Sequence, residues 1–193
     1  MATSDQAKWD REHAIKQGEG APASFLRQVF HLGSWRMAPG RALDIATGRG
    51  RNAIFLAGKG FAVEAIDISE VALQEAQRRA AEKRLPVTFR QADLDHVELP
   101  EAQYDLIVNI NFLLRSLVPQ IKMALKVGGR VIFETYLIEQ QTIGHPKNPA
   151  YLLRHRELLE IFSDFRVFYY REGKFTEAGK DAYRAGIYGE KVQ

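Results

Sequence analysis

"LDIATGRGRNAIFLA", residues 43–57, decides how this chain is read. An apolar run carries an aspartate, Asp44. A turn of small residues follows, Ala46, Gly48 and Gly50, and a helical pattern opens near Arg51 and Asn52. A strand that feeds a glycine-rich turn and then a helix brings backbone close to a ligand. Glycine adopts left-handed conformations and carries no side chain to intervene.

The surroundings supply the fold class. Residues 42–46, 62–67, 104–110 and 130–136 are short apolar runs without polar alternation, as expected of parallel strands covered on both faces, and residues 87–94 make a fifth. Helical patterns lie between them. Residues 69–84 open with Ser69 as N-cap and Glu70 in the first turn, and place Ala72, Ala76 and Ala80 on one face for close docking on a sheet. Residues 117–129 carry Pro119 near the start and a glycine pair at the end, which predicts a second helix. Alternating strands and helices imply an α/β, doubly wound, mostly parallel sheet. Residues 165–172 and 181–190 read instead as an antiparallel hairpin joined by "GKFTEAGK". The segment 137–153, broken by Gly144, Pro146 and Pro149, is a long connection after a central strand, of the kind that often carries function.

Three ligands suit such a glycine turn: a nucleotide phosphate, a dinucleotide pyrophosphate, or the amino-acid end of S-adenosylmethionine. A phosphate loop needs G-x-x-x-x-G-K-[ST], and "AIFLAGKG" (53–60) lacks the first glycine and the hydroxyl. The dinucleotide pattern G-x-G-x-x-G/A is met by Gly48, Gly50 and Ala53, with Asp67 ending the next strand. Its first glycine normally sits at the strand end itself, whereas here three residues separate Asp44 from Gly48. A carboxylate at a strand tip suits an ammonium, met directly or through water. The helix start at Arg51 and Asn52 favours the ligand's carboxylate. Asp67 is placed to accept from two ribose hydroxyls, Asp93 to meet an adenine amino group, and Ile68 and Leu94 to cover the adenine faces. Asn109 and Asn111 either face the sulfonium or satisfy loop backbone. The expected cofactor is therefore S-adenosylmethionine, with S-adenosylhomocysteine as product.

These segments together resemble the class I S-adenosylmethionine-dependent methyltransferases from about residue 40 onward. "LDIATGRGRN" is similar to the first motif of that family, "AIDIS" to its ribose motif, "ADLDHVEL" to its adenine motif and "YDLIVNINFLLR" to its fourth. "LKVGGRVIFETY" resembles the helix, turn and strand that follow. Ala46 departs from the family's usual glycine. The resemblance implies a seven-stranded Rossmann-like sheet ending in an antiparallel hairpin, within one domain over 1–193. In it, 1–38 forms an N-terminal helical cap, 39–193 the cofactor-binding core, and 137–153 the substrate-side loop. "KWDREH" (8–13) and "FETY…GHPKNPAYLL…ELLEIF" narrow the likeness to the tellurite-resistance and thiopurine-type branch. That likeness implies Trp9 over the cofactor and methylation of a small soft nucleophile, such as a thiol, tellurite or selenite. Its relatives also place an arginine facing substrate where Arg184 stands. Tyr136, His145 and Arg115 are the other candidates on the substrate side, Tyr136 and His145 being the available bases for an amine or hydroxyl acceptor.

Composition narrows the rest. Of 193 residues, 46% are hydrophobic and 26% charged, and the formal charge of +3 is too small for a nucleic-acid partner to be expected. There are no cysteines, which excludes disulfides and a cysteine nucleophile, and the five histidines show no metal-binding spacing, so no metal is expected. A charged beginning and the lack of long apolar runs predict no signal peptide and no membrane span, hence a cytoplasmic protein. The alternatives to a methyltransferase are a non-catalytic protein that binds the same cofactor and a nicotinamide-dependent oxidoreductase, though the latter's Y-x-x-x-K is missing.

Overall fold

The computed structural model describes residues 2–15, 20–32, 38–177 and 179–193. Residues 1, 16–19 and 33–37 of the expected cap, and Ala178 of the expected hairpin link, lie outside them. In chain order the elements are α1 (Ala2–Ile15), α2 (Ser24–His31), β1 (Arg41–Ile45), α3 (Arg51–Ala57), β2 (Ala62–Asp67) and α4 (Glu70–Glu82). Then come β3 (Val87–Gln91), β4 (Tyr104–Ile110), a 3-10 turn Arg115–Leu117, α5 (Val118–Ala124) and β5 (Leu125–Tyr136). The chain ends with α6 (Gln140–Ile143), a 3-10 turn Pro149–Tyr151, α7 (Glu157–Ile161), β6 (Phe165–Glu177) and β7 (Lys180–Lys191).

All the strands form one seven-stranded sheet in the order β3-β2-β1-β4-β5-β7-β6. From β3 to β5 every pairing is parallel, and β7 runs antiparallel to both β5 and β6. The expected fold class is therefore observed. The centre of the sheet is apolar on both faces, as the unalternating runs predict. Leu43, Ile45, Ile107 and Phe133 join Leu117, Ile121, Leu158 and Phe162 on one side. Ala42, Leu106, Val108 and Ile132 join Phe25, Leu26, Val29 and Leu56 on the other. Chain order reverses between β1 and its neighbours β2 and β4, which opens a crevice at the carboxyl end of β1.

Ser69 caps α4 as expected, accepting from the Ala72 amide at 3.1 Å, and Ala72, Ala76 and Ala80 are buried. Two expectations need correction. The helix over 117–129 stops at Ala124, and Leu125–Gly129 is already extended as the start of β5. Leu125 is fully buried opposite Tyr104, and the pairing of β4 with β5 shifts register before Arg130, so these residues serve as a bulged strand entry. The final hairpin is also longer than expected. The link "GKFTEAGK" is mostly strand, with Lys174 opposite Tyr183 and Glu177 opposite Lys180, which leaves a short turn at Gly179.

Candidate functional site

The turn after β1 is a cradle. Ala46, Gly48 and Gly50 have φ of +52°, +55° and +75°. Ala46 is strained there, by roughly 1–2 kcal/mol, because its Cβ meets its own backbone. The two glycines differ in purpose. A Cβ on Gly50 would lie 2.8 Å from Ala76 Cβ, so this glycine lets α4 dock against the loop. A Cβ on Gly48 would meet only the His13 ring, 3.4 Å from its Cε1, so this glycine faces the space beneath α1.

Asp44 is 1% exposed at the end of β1. Its Oδ2 accepts from the Thr47 hydroxyl at 2.5 Å, and its Oδ1 is buried and accepts no hydrogen bond from any described residue. Desolvation pushes its pKa up to about 7, opposed by the Thr47 hydrogen bond and the Arg51 charge. A buried carboxylate with an idle oxygen calls for a cationic donor. Asp67, at the end of β2, accepts from the Gly48 amide at 2.7 Å and the Ser69 amide at 2.9 Å. Burial raises its pKa as well, opposed by these amides and by His13. Each of its oxygens keeps a lone pair for a ligand hydroxyl.

The remaining cofactor candidates divide. Ile68 is half-buried and Leu94 is buried. Asp93 bonds locally, Oδ1 accepting from the Asp95 amide and Oδ2 lying 3.0 Å from His96 Nδ1, which lowers its pKa. The Asn52 side chain is turned toward the segment leading into α2, accepting from the Ala23 amide at 3.0 Å. Asn109 is buried and donates to the Phe112 carbonyl at 2.7 Å, the loop-satisfying alternative. Trp9 is 39% exposed on α1, and the ring that reaches the glycine cradle belongs to His13. Asp10 anchors this helix by accepting from the Ser69 hydroxyl at 2.6 Å.

On the acceptor side, Tyr136 and Arg184 stand opposite each other on β5 and β7. The Arg184 guanidinium lies 4.3 Å from the Tyr136 ring centroid, donates to its hydroxyl at 3.0 Å, and donates to Asn111 Oδ1 at 2.5 Å. Asn111 adopts φ +63°, which turns its side chain back across the strand ends. Arg184 is 8% exposed, and its Nε donates to no described residue. His145 is exposed, and its carbonyl accepts from Gln140 Nε2, whose Oε1 in turn accepts from the Tyr183 amide. Arg115 is held by partners of its own. It makes four hydrogen bonds, to both oxygens of Glu157 and to the carbonyls of Ala150 and Leu152, and so fastens the 137–153 segment. Sequence reasoning assigned no role to Thr47, which bonds Asp44 locally, nor to Asp10 within "KWDREH" or the buried Glu134 beside Arg184, whose partners are distant in sequence.

Comparison with known proteins agrees with this geometry. Residues 42–132 match the family described as methyltransferase domain. The putative methyltransferase YqeM of Bacillus subtilis (strain 168) is 38% identical over 78 residues, covering 38% of this chain and 31% of that protein. The chain spans about a third to a half of the length of the curated relatives it matches. TehB from Haemophilus influenzae superposes with a TM-score of 0.74 at 20% identity, over 88% of this chain and 62% of that one. A protein whose structure concerns conversion of a disulfide bond into a thioacetal group during echinomycin biosynthesis also gives 0.74, at 18% identity, over 98% and 93%. The cofactor of the matched family is S-adenosylmethionine, and the idle oxygen of Asp44, the cradle at Gly48 and the free lone pairs of Asp67 fit its ammonium, its backbone approach and its ribose. With five motifs in order on a sheet of this topology, residues 42–132 carry a methyltransferase domain of the S-adenosylmethionine-dependent kind.

Proposed function

We propose that this protein transfers a methyl group from S-adenosylmethionine to a small-molecule acceptor, a soft nucleophile such as a thiol or a chalcogen oxyanion like tellurite or selenite. The observation that carries the cofactor half is the Asp44 carboxylate. It is buried, its Oδ1 accepts from no described residue, and it stands at the head of a turn of left-handed small residues. Asp44 takes the ammonium, Asp67 the ribose hydroxyls, Ile68 and Leu94 the adenine faces, and Asp93 its amino group. The cofactor brings an activated methyl on a sulfonium with a neutral leaving group. The chain's task is then alignment and exclusion of water, and orientation of this kind recovers roughly 7–11 kcal/mol of barrier.

The acceptor half rests on the Arg184 guanidinium and the two uncharged groups it bonds, the Tyr136 phenol and the Asn111 amide. The Arg184 guanidinium suits an anion, and the nearby Glu134 is engaged by Arg171 and Arg184. An acceptor that is already anionic needs no base. The likeness to the tellurite-resistance and thiopurine-type branch and the sulfur chemistry of one structural neighbour support the same class. In this reading residues 1–38 form a cap and 137–153 the loop beside the acceptor, on one domain. The lack of cysteine is consistent with the cytoplasm.

Thermal shift and calorimetry with S-adenosylhomocysteine and NADH test the cofactor half. S-adenosylhomocysteine is expected to stabilise the protein, and stabilisation by NADH alone overturns the reading. Asp67→Ala is expected to weaken S-adenosylhomocysteine by about 10- to 100-fold, the loss of hydrogen bonds to a charged group worth roughly 1.5–3 kcal/mol. Mass spectrometry of the methylated product, the methylated oxyanion from selenite or tellurite and the thioether from a thiol, tests the acceptor half. Turnover only on amines or phenols refutes it, and tight S-adenosylhomocysteine binding with no turnover on any acceptor marks a non-catalytic binding protein.

A further inference from the structure

We propose that Glu134 is a positioning residue, holding Arg184 in register for the acceptor, with Arg171 as its brace. This rests on Arg184 facing the acceptor. Glu134 of β5, Gly186 of β7 and Arg171 of β6 stand in one cross-strand row, and Tyr136, Arg184 and Gly173 in the next row but one along each strand. Residues two apart on a strand share a face, so the ionic groups of both rows project to the side covered by α2. Gly186 has no side chain and seats the Phe25 ring, and Arg171, beneath that ring, reaches from β6 to Glu134 Oε1 with Nε at 3.1 Å and Nη2 at 2.5 Å. Arg171 is itself fixed between the rings of Phe25 and Phe175, at 4.9 and 4.3 Å, and bonded to Gln28 and Glu177.

Glu134 Oε2 lies 3.6 Å from Arg184 Nη1. That distance is too long for a hydrogen bond but short for a buried charge pair. The carboxylate therefore orients the guanidinium electrostatically without using up its donors. Among the described residues Arg184 bonds otherwise only to the uncharged Tyr136 and Asn111, and its buried Nε donates to none of them. Glu134 and Glu177 balance Arg171 and Arg184 in charge. Removing the charge of Glu134 leaves a positive excess beside the acceptor, which attracts an anion more strongly while Arg184 loses its orientation.

Two variants separate charge from reach. Glu134→Gln keeps the length and loses the charge. It is expected to leave S-adenosylhomocysteine affinity unchanged, to lower KM for selenite several-fold and to lower kcat about tenfold. Glu134→Asp keeps the charge and shortens the reach, so KM returns toward the wild-type value while kcat stays low. A purely structural role would change the melting temperature and leave both constants of the folded enzyme alone. The Arg184 Nε–H resonance provides a readout that needs no acceptor. Its exchange with water is expected to accelerate at least tenfold in Glu134→Gln, and unchanged exchange in either folded variant overturns the proposal. Wild-type protein that binds S-adenosylhomocysteine yet methylates no selenite, tellurite or thiol refutes the acceptor reading, while the Nε exchange still decides whether Glu134 holds Arg184.

Discussion

Phe25 of α2 closes over Gly186 of β7 so tightly that a Cβ at position 186 would lie 2.8 Å from the ring. Phe25 is itself fully buried and stacks on Tyr169 at 5.9 Å between centroids. The N-terminal helix and the C-terminal hairpin are joined here, directly over the Glu134–Arg171 ion pair. Since β7 also carries Arg184, the seat of α2 governs the packing around the acceptor side.

Gly186→Ala is accordingly expected to destabilise the protein by about 1–3 kcal/mol, the usual cost of overpacking a filled core. Phe25→Ala is expected to cost about 3–5 kcal/mol by leaving a cavity. The double variant should lose less than the sum, because the smaller side chain relieves the clash. Urea denaturation measures all three, and simple additivity would mean that the two positions do not touch.

The Asp44 carboxylate gives a pH dependence. Its pKa in the folded protein is about 7, above the unfolded value of 3.8. A carboxylate raised on folding contributes stability that is present below the unfolded pKa and is lost as pH rises through 7. A bound ammonium reverses the preference by favouring the ionised form. S-adenosylhomocysteine binding is therefore expected to weaken as pH falls below 7, by up to tenfold per pH unit, with a proton released on binding near neutrality. Calorimetry in buffers of different ionisation enthalpy counts that proton. Asp44→Asn should bind weakly at every pH with the slope removed, and an unchanged slope would assign the proton to another group.

Much of this was legible before the fold was seen, for a physical reason. Asp44, Gly48 and Asp67 lie on or next to central parallel strands, where local sequence sets both the strand and what stands at its tip. Residues whose partners are distant in sequence were not legible in the same way. Gly50 reads as a ligand glycine, yet it is required by Ala76 on another helix. Asn52 reads as part of the helix start that favours the ligand's carboxylate, and nothing local shows that its side-chain oxygen accepts from the Ala23 amide. The glycine pair at 128–129 reads as a helix terminus because Leu125 pairs with Tyr104, 21 residues earlier in the chain and beyond any local pattern. The acceptor side was the least legible. Tyr136, Arg184, Asn111 and Glu134 come from three strand ends, and only the sheet register brings them together.

Arg115 shows how a candidate substrate residue becomes a structural one, and it can be tested as such. Its guanidinium forks onto Glu157, whose side chain is 5% exposed, and its remaining donors close on the carbonyls of Ala150 and Leu152. Glu157 also accepts from the Arg154 amide at 2.8 Å, and its pKa is held down by Arg115 against the opposing effect of burial. Removing the arginine strands a carboxylate that burial already disfavours. Loss of one partner of a fully buried pair costs about 3–5 kcal/mol. Arg115 is itself partly exposed, so about 2 kcal/mol is expected for Arg115→Ala, within the usual range for a lost network. The loss should localise, with faster amide exchange across 150–157 and little change in the strands. Cofactor affinity should stay at the wild-type value, since none of the cradle residues touches this anchor. A variant that kept its exchange pattern and instead lost acceptor turnover would return Arg115 to the substrate side.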